Sequence, residues 1–406
     1  MSASTETQQT QALPVWPVLA ATTGTQSLTT LCALGLSAVA PRAAESLGVG
    51  PAMVGYQVAI VYFGAMLTSL IGGSVVRRFG PTRASQIALW VSVVGCALTA
   101  YGSLWSMALG AWVMGSGYGF TNPAASLLLS RLPASGRMNL IFSIKQCGVP
   151  IGGMLAGLLL PPMTLAFDWQ AAMLLCALLA LGLSLLLQRV RQQWDAERET
   201  ETRIFSRPLD GLIMIWRHPI LRWLGLASLA YSAVQLSVTG FLVTYLVAEI
   251  EFSLLAAGSL LALVQVAGAA GRLSWGWLAD RLRSGLLVLI INGAIAVLAA
   301  FATAAMTPHW PWLAIAAATM LFGFCAIGWN GVFIAVIARQ APPGQIGNAT
   351  GGTLSITYAG VLAGPSLFAA LHDKAGMSYG AAYALMAVAT LIGIALLLQG
   401  RRGIKR

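Results

Sequence analysis

Apolar runs of about 20 residues recur along the chain, separated by short polar breaks. Runs of that length match a ~30 Å hydrocarbon core when wound as helices. Twelve are predicted, near 15–41, 53–76, 84–104, 106–131, 138–162, 169–188, 219–248, 255–279, 285–306, 310–338, 348–371 and 378–399. An even number puts both termini on one side of the membrane. The predicted fold class is an all-α membrane protein of twelve transmembrane helices in two pseudo-symmetric six-helix bundles.

The polar breaks are unequal. On one side they carry Arg77, Arg78, Arg83, Arg131, Arg137, the run from Arg189 to Arg222, Arg272, Arg281, Arg283, Arg339 and the tail Arg401, Arg402, Lys405 and Arg406. The other side holds only Arg42 and Lys374, and carries the acids Glu45, Asp168, Glu249, Glu251 and Asp373. Basic loops stay in the cytosol, so both termini are expected there, in a cytoplasmic (inner) membrane. The stretch QRVRQQWDAERETETR mixes both charge signs and is expected to be a cytosolic linker. The expected organisation is a cytosolic tail over 1–14, a bundle over 15–188, the linker over 189–218, a second bundle over 219–400 and a basic tail over 401–406. The N-terminal MSASTETQQTQAL lacks the basic start of a signal peptide, so the first apolar segment is expected to be retained.

The halves look like repeats. LLSRLPASGRMN after the fourth segment matches IARQAPPGQIGN after the tenth, which sets Ser135-Gly136-Arg137 against Pro343-Gly344-Gln345. The register places Asn122 opposite Asn330 and Gly152 opposite Gly360. Parallel repeats about an axis along the membrane normal are a transporter architecture, with the site between them near the midplane.

Composition agrees with a lipid solvent. The chain has 406 residues, 58% hydrophobic and 9% charged, against about 25% charged in ordinary soluble domains. Its net charge of +11 follows loops and forms no single basic face, so no nucleic-acid partner is expected. Cys32, Cys96, Cys147, Cys176 and Cys325 all fall in apolar stretches without ligand spacing.

Two loops carry a motif. Gly73-Ser-Val-Val-Arg77-Arg78-Phe-Gly80-Pro-Thr-Arg83 follows the second segment, and Gly276-Trp-Leu-Ala-Asp280-Arg281-Leu-Arg283 follows the eighth. Glycine permits close helix packing, and Asp280 can pair with a neighbouring arginine or a helix N-terminus. On these residues the chain resembles the major facilitator superfamily, whose signature loop reads Gly-x-Leu-Ala-Asp-Arg-x-Gly-Arg-Lys. The second copy matches better; in the first, Arg77 stands where the acid is expected. The resemblance implies that Asp280 braces a cytosolic gate by pairing across helices, and that the N-terminal half uses another arrangement. A second trace is Gly148-Val149-Pro150-Ile151-Gly152-Gly153, similar to the Gly-Pro-x-x-Gly-Gly of facilitator exporters with one residue inserted. Close packing plus a bend also explains it.

Lys145 is the candidate site's charge. It lies eight residues past Arg137, ~12 Å along a helix, against ~15 Å for half the hydrocarbon core. An intramembrane lysine can snorkel, pair with an acid, titrate, or line a cavity and attract an anion. It is expected to be the only charge deep in a segment. Uncharged candidates at similar depth are Gln26, Tyr62, Asn122, Gln146, Tyr231, Gln235, Gln265, Trp329, Asn330 and Tyr358. Each is also explained by interhelical hydrogen bonding. The motif residues Gly73, Arg77, Arg78, Gly80, Arg83, Gly276, Asp280 and Arg281 are the expected gate.

No Asp or Glu falls mid-segment, which disfavours proton coupling through a carboxylate. No phosphate-cradling loop or nucleophile motif is present, so no enzyme activity and no cofactor are expected. The expected function is secondary transport, by alternating access, of a small organic solute, a carboxylate or other anion. The partners are the solute and the lipid bilayer, and the chain is expected to act as a monomer. Efflux of neutral or amphipathic compounds and a non-transporting receptor are the alternatives.

Overall fold

The structure, a computed structural model, describes residues 13–49, 51–133, 136–205 and 208–404. Most of the expected tail 1–14 and Ser135, Lys405 and Arg406 lie outside the described residues. Among the described residues the secondary structure is helical throughout, with no strand.

The first bundle contains α1 (Val15–Ala38), the short α2 (Ala40–Leu47), α3 (Pro51–Phe79), α4 (Pro81–Ala100), α5 (Leu104–Ser130), the pair α6 (Met138–Gln146) and α7 (Gly148–Ala166), and α8 (Trp169–Leu187). The linker holds α9 (Arg191–Trp194) and α10 (Asp210–Arg217). The second bundle contains α11 (Leu221–Ala248), α12 (Leu254–Arg281), α13 (Gly285–Ala304), the pair α14 (Trp312–Ala326) and α15 (Asn330–Gln340), α16 (Ile346–Asp373) and α17 (Tyr379–Ile404). Counting each pair as one, twelve spans result. Ten are long and apolar enough to cross a membrane on length and composition among the described residues. The other two are α1 and α5, which have the length but carry TTGTQSLTT and GSGYGFTN in place of leucines.

The repeat register has a packing counterpart. A Cβ on Gly152 would collide with the Ser27 carbonyl of α1, and one on Gly360 with the Leu229 carbonyl of α11. Glycine at both positions lets the fifth and eleventh spans press backbone to backbone on the first and seventh.

Proline shapes three spans. Pro150 has no N–H for the carbonyl of Gln146 four residues back, and the fifth span turns at Cys147 between α6 and α7. Pro123 inside α5 likewise frees the Gly119 carbonyl, which accepts from the Ser69 hydroxyl of α3 at 3.3 Å. Within α16, Pro365 does the same to Val361. The tenth span turns without proline, at Ile327–Trp329.

The bundles meet mainly on one side. Spans enter and leave at the face carrying the loops 77–83 and 281–284, here the terminal face. From there to mid-depth, α3 packs on α16, α6 on α12 and α15, and α5 on α16. Beyond mid-depth α7 packs instead on α1 and α8 of its own bundle. Gln265 lies two turns from Arg272 on the same face of α12, away from the terminal face, and is exposed. The halves are therefore closed together at the terminal face and parted at the far face.

Candidate functional site

Lys145 ends α6, where the fifth span turns, and is 2% exposed. Its ammonium does not run to the terminal face. It donates to the amide oxygens of Gln26 on α1 at 2.8 Å, Asn122 on α5 at 2.5 Å and its neighbour Gln146 at 3.0 Å. Three N–H groups meet three neutral oxygens, which satisfies the hydrogen bonds and leaves the charge uncompensated. The ion pairs Arg42–Glu45 and Arg131–Glu197 lie elsewhere.

Lys145 is not the only charge at depth, and this corrects the sequence reading. The sequence pattern groups Arg272 with the basic polar breaks. In the structure α12 continues nine residues past it to Arg281, so it sits ~13 Å inside the span and is 2% exposed. Its guanidinium donates from Nε to the Ile327 carbonyl at 3.1 Å and from Nη1 to the Gln146 carbonyl. Both acceptors are main-chain groups at helix breaks, where the negative end of a helix dipole favours a cation. Gln146 joins the two cations, its side-chain oxygen accepting from Lys145 and its main-chain carbonyl from Arg272. The predicted segment 255–279 already enclosed Arg272, and that was the signal available in the sequence.

Aromatic rings adjoin the cations. Tyr62 of α3, Tyr118 of α5 and Tyr358 of α16 form a triangle with ring centroids 5.9–6.2 Å apart. Tyr118 was not among the predicted candidates. Opposite them, Gln235 of α11 accepts from Trp329 Nε1 at 3.0 Å and Asn330 Nδ2 at 2.9 Å, fixing the break in the tenth span. Tyr231 is turned away: its hydroxyl donates to the Leu289 carbonyl of α13 at 3.0 Å, and only its ring edge meets Trp329. Ser228 and Ser232 of α11 are joined to Thr357 of α16 within their own bundle. Gln265 is not drawn to Lys145 by any of these bonds. Two clefts, of about 410 Å³ beside Trp216 and Ile356 and about 310 Å³ beside Tyr56 and Trp105, lie away from the cations.

Below the site, the terminal face is sealed by two pseudo-symmetric seams. Gly73 of α3 lies so close to Asn348 of α16 that a Cβ would collide with it, and Gly276 of α12 meets Ser143 of α6 in the same way. Asp280 accepts from the amides of Asn139 and Leu140 at 2.9 and 2.8 Å and from the Asn139 side chain at 2.6 Å. A carboxylate of one bundle thus caps the first turn of α6 in the other. Arg281, next to it, lies against the Trp277 ring. Arg77 occupies the matching place in the other seam and donates to the Gln345 side chain at 3.1 Å.

The acid missing from the first motif has a counterpart in the linker. Asp195, 1% exposed, accepts from the amides of Thr82 and Arg83 at 2.7 and 2.9 Å, capping α4. Gly80, at φ +89°, clears the space: a Cβ there would collide with the Asp195 carboxylate. Burial pushes the Asp195 carboxyl above its ordinary range, against the pull of the two amides. Arg78 donates to the Thr202 carbonyl at 3.0 Å, and Glu199 N–H to the Arg77 carbonyl at 2.8 Å. Arg83 reaches Gln86 at 3.1 Å.

Two helical bundles with a buried polar layer between them, closed at one face and parted at the other, are the architecture of a multi-pass membrane transporter. The sequence profile of the Major Facilitator Superfamily matches residues 22–365, and the chain belongs to that superfamily. A Bacillus subtilis (strain 168) protein named for niacin/nicotinamide transport, NiaP, is 24% identical over 341 residues, 80% of each chain. A Mycobacterium tuberculosis protein named for nitrate/nitrite transport, NarK2, is 31% identical over 157 residues, 38% of each chain. Among solved structures, the human organic anion transporter MFSD10 superposes with a TM-score of 0.79 at 16% identity, over 95% of this chain and 100% of that one. A bacterial homologue of the iron transporter ferroportin in an outward-facing state gives 0.77 at 17%, over 96% and 100%.

Proposed function

We propose that the chain is a secondary transporter of a small organic anion, a carboxylate in the first instance. The observation that carries this reading is the Lys145 ammonium, buried and hydrogen-bonded to amide oxygens alone. A cation at depth is costly without a counter-ion. An anionic solute supplies one, and Arg272 adds a second positive charge beside it. The tyrosine triangle and Trp329 offer flat apolar walls for a small planar body. The names of the niacin/nicotinamide and nitrate/nitrite relatives are consistent with small planar solutes. A neutral solute would leave both cations uncompensated, which disfavours efflux of neutral compounds.

Alternating access would rock the bundles about this layer, with the terminal face cytosolic and the far face outside. The test is uptake and exchange in proteoliposomes against a panel of carboxylates that includes nicotinate, with nitrate and nicotinamide beside them. Saturable carboxylate flux, and none of nicotinamide, is expected. Flux of nicotinamide alone would overturn the assignment to anions.

A further inference from the structure

We propose that Arg272 couples solute binding to movement of the bundles: it ties them together through the Gln146 main-chain carbonyl, and a bound anion takes that carbonyl's place. The proposal rests on the anion reading of the site.

The tie is built by the backbone. Pro150 removes the helical N–H that would serve the Gln146 carbonyl, so this group needs an outside donor in a layer without bulk water. Arg272 supplies it through Nη1 from the opposite bundle, while its Nε holds the Ile327 carbonyl of its own bundle. One planar guanidinium therefore bridges both helix breaks, a geometry that lysine cannot reproduce. Gln146 also gives its side-chain oxygen to Lys145 at 3.0 Å, so one residue touches both cations.

Position decides the role. Gly73 with Asn348, Gly276 with Ser143 and Asp280 with Asn139 lie nearer the terminal face. The ring contacts of Tyr62 and Tyr118 with Tyr358 also join the bundles near the site, but they carry no charge for an anion to compete with. The Arg272–Gln146 bond adjoins Lys145, where the proposed anion would bind. Its acceptor is a neutral carbonyl. A carboxylate makes hydrogen bonds to guanidinium roughly twice as strong, often in pairs. An anion at Lys145 would win the guanidinium, weaken the tie and favour opening at the terminal face. A neutral solute has no such advantage over the carbonyl. A ligand shifts a conformational balance only by binding the two states differently, and this exchange supplies the difference.

The experiment measures distances between spin labels at Arg137→Cys and Arg283→Cys, exposed positions on the terminal face of opposite bundles. Binding of nicotinate and nitrate to the same protein is followed by thermal shift. The unaltered site should give one short distance when empty and a longer population with anion. Arg272→Ala should show the longer population when empty, with no further change on adding anion. Arg272→Lys should bind anion within about tenfold of the parent, as its charge remains, yet be open when empty. Pro150→Ala returns an N–H to the Gln146 carbonyl without touching any charge, and should also raise the longer population. If empty Arg272→Ala and Pro150→Ala keep the single short distance, the tie is refuted. If the unaltered protein binds neither probe nor any carboxylate of the panel, the anion reading fails, while the empty variants still decide whether Arg272 holds the bundles.

Discussion

Lys145 and Arg272 are placed by what surrounds them. The chain has 12 acidic residues against 23 basic ones, and none of the acids pairs with either cation among the described residues. Several acids serve as helix caps instead: Asp168 on α8, Asp195 on α4, Glu249 on α17 and Asp280 on α6. Lys145→Ala should weaken anion binding ~10- to 100-fold, the scale of a lost charge-assisted hydrogen bond, with Lys145→Arg keeping part of the flux; isothermal titration checks it. Asp280→Ala should remove a cap worth ~1–2 kcal/mol from α6 and lower the thermal midpoint, while Arg281→Ala, which leaves the cap intact, should not. Lys145 was legible in the sequence because an isolated lysine in an apolar run is conspicuous. Arg272 was less so, because an arginine near a motif-bearing loop is easily assigned to the loop. The three amides around Lys145 come from α1, α5 and α6, and sequence spacing alone could not bring them to one point.

At the scale of elements, glycine and proline set where helices approach and where they break. Gly73→Ala and Gly276→Ala should each overpack a terminal-face seam, at ~1–3 kcal/mol, and shift the protein toward opening there; cysteine labelling from that face would report it. Span positions were largely legible, since ten spans carry their own hydropathy. The exceptions, α1 and α5, are polar because they line the buried layer with Gln26 and Asn122. The linker was legible as polar but not as a clamp, since the Asp195–α4 contact joins residues 113 apart. Its pH dependence has a definite sign. A carboxyl raised by burial is protonated first in the docked state, so docking is favoured at low pH and lost as pH rises through the raised value. Hydrogen exchange at 190–196, corrected for intrinsic rate, should be slower at a pH below the ordinary carboxylate range than at one well above it. In Asp195→Asn, neutral and of similar shape, that difference should vanish.

For the whole molecule, closure at the terminal face and parting at the far face fit one end of the proposed alternating-access cycle. The pseudo-symmetry is structural in the seams and broken in the charges: Asp280 faces Arg77 across the repeat, and Lys145 faces Thr353. In the proposed function, that imbalance is what would make the site prefer negative solutes. The most direct measurement is counterflow of labelled nicotinate into proteoliposomes preloaded with unlabelled nicotinate, comparing the parent with Lys145→Ala. Transient accumulation in the parent and none in Lys145→Ala is the predicted result. Equal accumulation in both, or accumulation of nicotinamide in place of nicotinate, would contradict the assignment of Lys145 as the residue that selects an anion.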